Sequence, residues 1–155
     1  MLINSQVGMV SIRVRIPDDD MEWLRLRSAL WPDVDAQTQR SEMANWLARS
    51  DAVVFFAVRA DGAGLAGFAE VGARSFADGC KTSPVAYLEG WYVDVDVRRR
   101  GLGRALVQAA EKWARAQGFR EFASDAELDN VESQRAHVAI GFPEVGRSVL
   151  YLKKL

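Results

Sequence analysis

The chain has 155 residues and a mass of 17.2 kDa, the size of one domain, expected to span 1–155 with residues 1–8 as a short N-terminal extension. At 49% hydrophobic and 26% charged, it carries enough apolar material for one core and too much for a disordered chain. Lys and Arg number 20 against 21 Asp and Glu, a net charge of −1, which excludes a globally basic coat for nucleic acid.

The first residues, Met1-Leu2-Ile3-Asn4-Ser5-Gln6, carry neither the basic nor the apolar part of a secretory leader. Residues 9–16 alternate apolar and polar and predict a half-buried strand. Pro17 and the acids Asp18, Asp19 and Asp20 predict a capped helix running to Trp31-Pro32. A second helix is expected over 37–49, with Met43, Trp46 and Leu47 inward. Residues 52–58 are wholly apolar and predict a central strand, while the run of seven is far below the roughly 20 of a membrane helix. Asp61-Gly62 and Gly64 supply a turn before a strand at 65–71, making a hairpin. The single cysteine, Cys80, excludes an intrachain disulfide framework and suits a reducing, cytoplasmic setting. With one histidine and one thiol, no metal cluster is expected.

A long strand follows at 85–95, then a helix at 102–117 with Leu106, Ala109, Ala110 and Trp113 on one face and Gly118 as its stop. Residues 119–125 predict a strand. Asp129 with Glu132 resembles a capping box for a helix to Ile140, and 142–155 predict a closing strand. The order is β-α-α-β-β-β-α-β-α-β, an α/β fold with a mixed, mostly antiparallel central sheet flanked by helices.

The segment Val93-Asp94-Val95-Asp96-Val97-Arg98-Arg99-Arg100-Gly101-Leu102-Gly103-Arg104 is a strand end, a two-glycine turn and a helix start. Four arginines and no acid lie between 98 and 104. Glycines let a backbone approach an anion and the helix N-terminus adds its dipole. A P-loop would need Lys-Ser/Thr after the last glycine, and a dinucleotide fingerprint would need Gly or Ala at Leu106. Both are excluded. The competing reading is a solvated basic face.

What remains, Arg98-Arg99-Arg100-Gly101-Leu102-Gly103 preceded by Tyr92-Val93-Asp94-Val95, resembles the acetyl-CoA motif of the GCN5-related N-acetyltransferases (GNAT). The resemblance implies that amides and side chains of Arg99, Arg100, Gly101, Leu102, Gly103 and Arg104 hold the pyrophosphate. It also implies that the backbone of Trp91, Tyr92 and Val93 faces the pantetheine, and that Asn130 contacts the same arm. Acetyl-CoA would be the co-substrate.

Leu30-Trp31-Pro32, Ser83-Pro84-Val85, Leu88-Glu89-Gly90, Ala123-Ser124-Asp125, Ser133-Gln134, His137, Gly141-Phe142 and Tyr151-x-Lys153 together resemble the aminoglycoside 6′-N-acetyltransferases. That resemblance supplies the substrate and implies Trp31, Phe76, Glu89, Asp125 and Gly146 as its contacts. Phe76 stands where relatives carry Tyr, so a hydroxyl contact is missing. Gly146 stands where some carry Glu, with Glu144 off register.

Glu89 sits in an apolar strand, where a carboxylate needs a partner or a cleft. It is read as a substrate-binding acid that accepts the amine's proton through water, against a structural pair with an arginine. Asp125 is a second acid for a cationic amine, against an ordinary strand-end aspartate. Trp31 competes with a packed core role. His137, the lone histidine, and Tyr151 are candidate acids for the leaving thiolate, each against a structural role. Val93 N–H is the candidate oxyanion donor.

Two rivals stand beside this reading: a fold acting on another primary amine (a polyamine, an amino acid or a protein N-terminus), and a non-catalytic CoA-binding module. The family resemblance implies a homodimer, with Trp46, Phe55 or the C-terminal strand as possible surface. No membrane or nucleic-acid partner is expected.

Overall fold

The structure, a computed structural model, describes residues 11–155. The elements are β1 (Ser11–Val14), α1 (Asp20–Leu30), α2 (Ala36–Leu47), β2 (Ala52–Val58), β3 (Leu65–Arg74), β4 (Val85–Val93), α3 (Leu102–Ala116), β5 (Phe122–Ser124) and α4 (Val131–Ala139). Single 3-10 turns lie at Pro17–Asp19 and Val95–Val97. The five strands form one sheet in the order β1-β2-β3-β4-β5. The first four are antiparallel, and β5 runs parallel to β4. That parallel pair needs a crossover, which α3 supplies.

Both faces of the sheet are covered because its strands are apolar on both. On one face Trp23 and Leu26 of α1 and Met43 of α2 pack on Val54, Phe56 and Phe68. On the other, Leu102, Leu106, Val107 and Ala110 of α3 pack on Phe55, Ala57, Ala69, Val71 and Leu88. The small residues of α3 let it sit close to the strands.

Several expectations are corrected. Residues 142–155 form no strand. Val145, Val149, Leu150, Tyr151 and Leu152 are exposed, because the helices already occupy both sheet faces and no strand edge pairs with them. Leu47 is exposed rather than inward, on the last turn of α2. Asp19 and Asp20 do not cap α1 with their side chains; they pair with Arg13 and Arg15 across the β1–α1 corner. Asn130, not Asp129, caps α4, its Oδ1 accepting the Ser133 N–H at 3.0 Å. Strand β4 ends at Val93, and β5 begins only at Phe122. Phe55 is buried in the core and offers no outer surface. The expected extension 1–8, and the first two residues of the 9–16 strand, lie outside the described residues.

Candidate active site

Strand β4 organises the site through one irregularity. Glu70 of β3 pairs with Gly90, but its neighbour Val71 pairs with Leu88, so Glu89 is a bulge with no partner. Bulges re-aim side chains. This one turns Glu89 into a cleft of about 450 Å³ on the α1/α2 face, lined among others by Arg27, Trp31, Trp46, Arg49 and Glu70. The missing side chain of Gly90 makes room for Trp31, since a Cβ there would meet Trp31 Cη2 at 2.8 Å. Trp31 packs edge-on against Phe68 and carries the Arg27 guanidinium on its face at 4.6 Å.

Arg74 grips both oxygens of Glu89, at 2.6 and 2.5 Å, and lies 3.5 Å over the ring of Tyr87. The Tyr87 hydroxyl donates to Asp125 Oδ1 at 2.6 Å. Glu89 and Asp125 are therefore gathered on one side of the sheet, joined through Arg74 and Tyr87. Burial, then the bond to Asp125, pushes the Tyr87 phenol well above its ordinary range. It stays a donor. Glu89 is thus both ion-paired and turned toward the cleft.

Beneath Trp31 lies a charged network that the sequence reading missed. Glu70 is 2% exposed and Arg27 4%. Arg27 donates to Glu70 Oε1 (2.5 Å), to Gln39 (2.8 Å) and to Glu42, and Trp23 Nε1 donates to the same Glu70 oxygen at 2.8 Å. Burial raises the Glu70 carboxyl's affinity for its proton, and Arg27 opposes that. The signal was present: Glu70 is an acid in an apolar strand, as Glu89 is.

At the far end of β4 the backbone is open on one edge. Asp94 N–H donates to Ala66 at 2.8 Å, making that a hydrogen-bonded pair. In an antiparallel ladder the alternation then turns the amides of Val93 and Trp91 away from β3. Strand β5 does not reach them, since its last pair is Leu88 with Ser124. The edge from Trp91 to Val93 is thus free to pair with an extended ligand. Val93 O is held by Arg98 Nε at 2.9 Å, and Tyr92 faces α1, with the Arg98 guanidinium 5.5 Å above its ring.

The turn after β4 is built for an anion. Gly101 has φ +84° and Arg99 φ 61°, left-handed values that curl successive amides to one side. No side chain caps α3, and the amides of Leu102, Gly103 and Arg104 precede its first helical bond, Ala105 to Gly101. A Cβ on Gly103 would sit 2.9 Å from Trp91 Cζ2, and Trp91 Nε1 donates to Gly103 O at 3.2 Å, so turn and strand are locked together. Arg99 and Arg100 are exposed and make no hydrogen bond among the described residues. Arg104 is committed to Ala139 O, at 2.8 Å. Asp94 bonds Arg25 and Arg59 and fixes the base of the turn. Open amides beside two cations, and a free strand edge next to them, fit the pyrophosphate and amide-bearing arm of coenzyme A.

His137 lies between these regions, half-buried. Its Nδ1 donates to Ser133 O at 2.8 Å, its Nε2 is 2.9 Å from Ser124 Oγ, and its ring meets Trp91 edge-on. These bonds support its structural reading. Asn130 spends its oxygen on the α4 cap. Phe76 (67% exposed) and Tyr151 (91% exposed) stand outside the cleft, as does Gly146 on the exposed C-terminal segment. Glu121 was missed: its carboxylate accepts from the amides of Lys81 and Thr82 and pins the 79–84 loop to β5. Among the described residues no group of three or more His, Cys, Asp or Glu is placed to hold a metal, and no helix is long and apolar enough to cross a membrane.

Mixed sheet, splayed β4 edge and glycine turn define an acyl-coenzyme-A transferase of the GNAT type. The chain belongs to the acetyltransferase (GNAT) family, whose model matches residues 20–142. Among curated relatives, it is 47% identical over 140 residues to aminoglycoside N(6′)-acetyltransferase type 1 of Klebsiella aerogenes, covering 88% of this chain and 91% of that one. It is 42% identical to the enzyme of the same name from Stenotrophomonas maltophilia, covering 91% of each. Among solved structures, AAC(6′)-Iy in complex with a bisubstrate analogue, CoA-S-monomethyl-acetylneamine, superposes with a TM-score of 0.89 at 33% identity, over 96% of this chain and 100% of that one. The apo 6′-N-acetyltransferase AAC(6′)-IG from Acinetobacter haemolyticus superposes with a TM-score of 0.87 at 35% identity, over 94% and 99%.

Proposed function

We propose that this protein transfers the acetyl group of acetyl-CoA to the 6′-amine of an aminoglycoside, a reaction that confers resistance to the antibiotic. The observation that carries the reading is the bulge that turns Glu89 into a cleft two residues from Trp91, where the open edge of β4 begins. At about 3.3 Å per residue, acid and edge lie roughly 7 Å apart along one strand. An amine held at one therefore reaches an acyl group held at the other.

Acetyl-CoA supplies an activated thioester. Amides of Leu102 and Gly103, the Gly101 turn, and the Arg99 and Arg100 side chains hold its pyrophosphate. Arg104 and Asn130 border that arm. Trp91, Tyr92 and Val93 present the backbone edge that orients the pantetheine. Val93 N–H, turned away from β3, stabilises the negative charge developing on the acyl oxygen.

Glu89 and Asp125 bind the cationic substrate over Trp31, and charge-assisted bonds to ammonium groups set its direction. The attacking nitrogen forms its C–N bond as the C–S bond breaks. Its proton passes through water to Glu89 or solvent, and solvent protonates the thiolate. A primary amine with a pKa of about 8–9 is already roughly 3–25% neutral near pH 7.5, so positioning outweighs base strength. His137 acts as a positioning residue for Ser124 and Trp91.

In this reading the chain is one catalytic domain that works as a homodimer in the cytoplasm. A second copy covers the exposed apolar side chains between Val145 and Leu155, and sedimentation at twice 17.2 kDa tests that. The activity is tested by thiol release from acetyl-CoA with kanamycin, tobramycin and spermidine. Release with the two antibiotics and not with spermidine is the expected result; the reverse pattern would assign another amine.

A further inference from the structure

The buried acid beneath the cleft is not arranged as a mere counter-ion. A carboxylate paired with an arginine often accepts from it with both oxygens, the fork-on-fork geometry that Arg74 and Glu89 adopt here. Glu70 does otherwise. Arg27 Nη1 (2.5 Å) and Trp23 Nε1 (2.8 Å) both crowd onto Oε1. Oε2 accepts no hydrogen bond among the described residues. Burying an ionised oxygen without a partner is costly.

Nor is that oxygen sealed in. Among the described residues Trp46 Nε1 is the one fully enclosed side-chain polar atom without a bond. Oε2 therefore keeps an opening, and Glu70 lines the same cleft as Glu89 and Trp31. A Cβ built on Gly90 would lie 3.4 Å from Oε2 and 2.8 Å from Trp31. The open oxygen, the Trp31 ring and the Phe68 ring thus border the gap left by Gly90, beside the bulge that presents Glu89.

From this placement we infer that Glu70 is a further substrate-binding residue, whose Oε2 accepts a hydrogen bond from an ammonium or hydroxyl of the amino sugar seated over Trp31. The assignment rests on the aminoglycoside reading above and deepens it. Trp23 and Arg27 hold the carboxylate from below, and Arg27 is itself fixed by Gln39 and Glu42. Oε2 is thereby pre-aimed, and little conformational freedom is lost when a ligand arrives. Glu89 marks the wall of the cleft and Glu70 its floor, so a sugar between them meets acids from two directions.

The test uses Glu70→Gln and Glu70→Asp in the whole protein. Glutamine keeps the volume and the acceptor for Trp23 but sets an NH₂ donor where Oε2 stood. Aspartate keeps the charge for Arg27 and withdraws the oxygen by one methylene. In both, the KM for tobramycin is expected to rise at least about tenfold, the KM for acetyl-CoA to stay unchanged, and the thermal upshift on adding tobramycin to shrink. An unchanged tobramycin KM in either folded variant, or failure of both to fold, would make Glu70 a purely structural carboxylate. If the unsubstituted protein releases no thiol with any aminoglycoside, the substrate reading itself fails, and this assignment with it. If it turns tobramycin over and the variants do so equally well, only the assignment of Glu70 fails.

Discussion

Arg74 holds both oxygens of Glu89, at 2.6 and 2.5 Å, while its guanidinium lies flat on Tyr87. A cation of the protein thus already occupies the position expected for an ammonium of the substrate. The pair is partly exposed, with side chains 43% and 22% accessible, so a polycationic ligand can share Glu89 at modest cost. Glu89→Gln removes the charge but keeps the shape. It is expected to lower kcat/KM for tobramycin roughly 10–100-fold, the worth of one or two charge-assisted hydrogen bonds, with acetyl-CoA binding by calorimetry unchanged. Equal turnover by the variant would return Glu89 to a structural pair.

Tyr87 orients the second acid, and its phenol titrates late. Burial and Asp125 raise its pKa above the ordinary 10. The folded state therefore keeps a proton that the unfolded state gives up near pH 10. That stability is fully present below pH 10 and is lost as pH rises above it. Tyr87→Phe should remove one slowly titrating phenol from the ultraviolet titration and flatten the alkaline loss of stability. It should also raise the aminoglycoside KM several-fold as Asp125 loses its donor.

Gly103 leaves no room for a side chain. Its Cβ would fall 2.9 Å from Trp91 Cζ2, and Trp91 is part-buried against the α3 core. Gly103→Val is expected to displace the indole and cost about 1–3 kcal/mol of stability. Its larger effect should be on acetyl-CoA, read as a weaker Kd with aminoglycoside binding retained.

Asp94 fixes the base of the anion turn by accepting from Arg25 and Arg59 at 2.8–3.0 Å. Asp94→Asn keeps the size and removes the charge. Part-exposed arginines recover some hydration, so the expected loss is about 2 kcal/mol in denaturant unfolding. The acetyl-CoA KM should rise with it, because the turn that follows loses its anchor. An unchanged acetyl-CoA KM would separate the network from the turn.

Periodic elements were legible in the sequence because their burial is local. The apolar run 52–58 and the helix beginning at Leu102 sit within a residue or so of where periodicity and turn glycines place them. Glu89 was legible as a misfit, an acid in an apolar strand. Glu70 carries the same signal, and its buried partners Arg27 and Trp23 come together with it only in the tertiary packing. The last fourteen residues are expected as a closing strand, but a strand exists only when paired with a partner edge, and here they pair with none. Asn130, expected by resemblance to contact the coenzyme arm, also caps α4 with its oxygen, a second role fixed by local backbone geometry.

The position of the new amide on tobramycin after reaction with acetyl-CoA tests the central claim most directly. Two-dimensional NMR of the purified product should place the acetyl group on the 6′-nitrogen alone, with one thiol released per amide formed. Acetylation at any other nitrogen, or thiol release with no acetylated aminoglycoside, would contradict it.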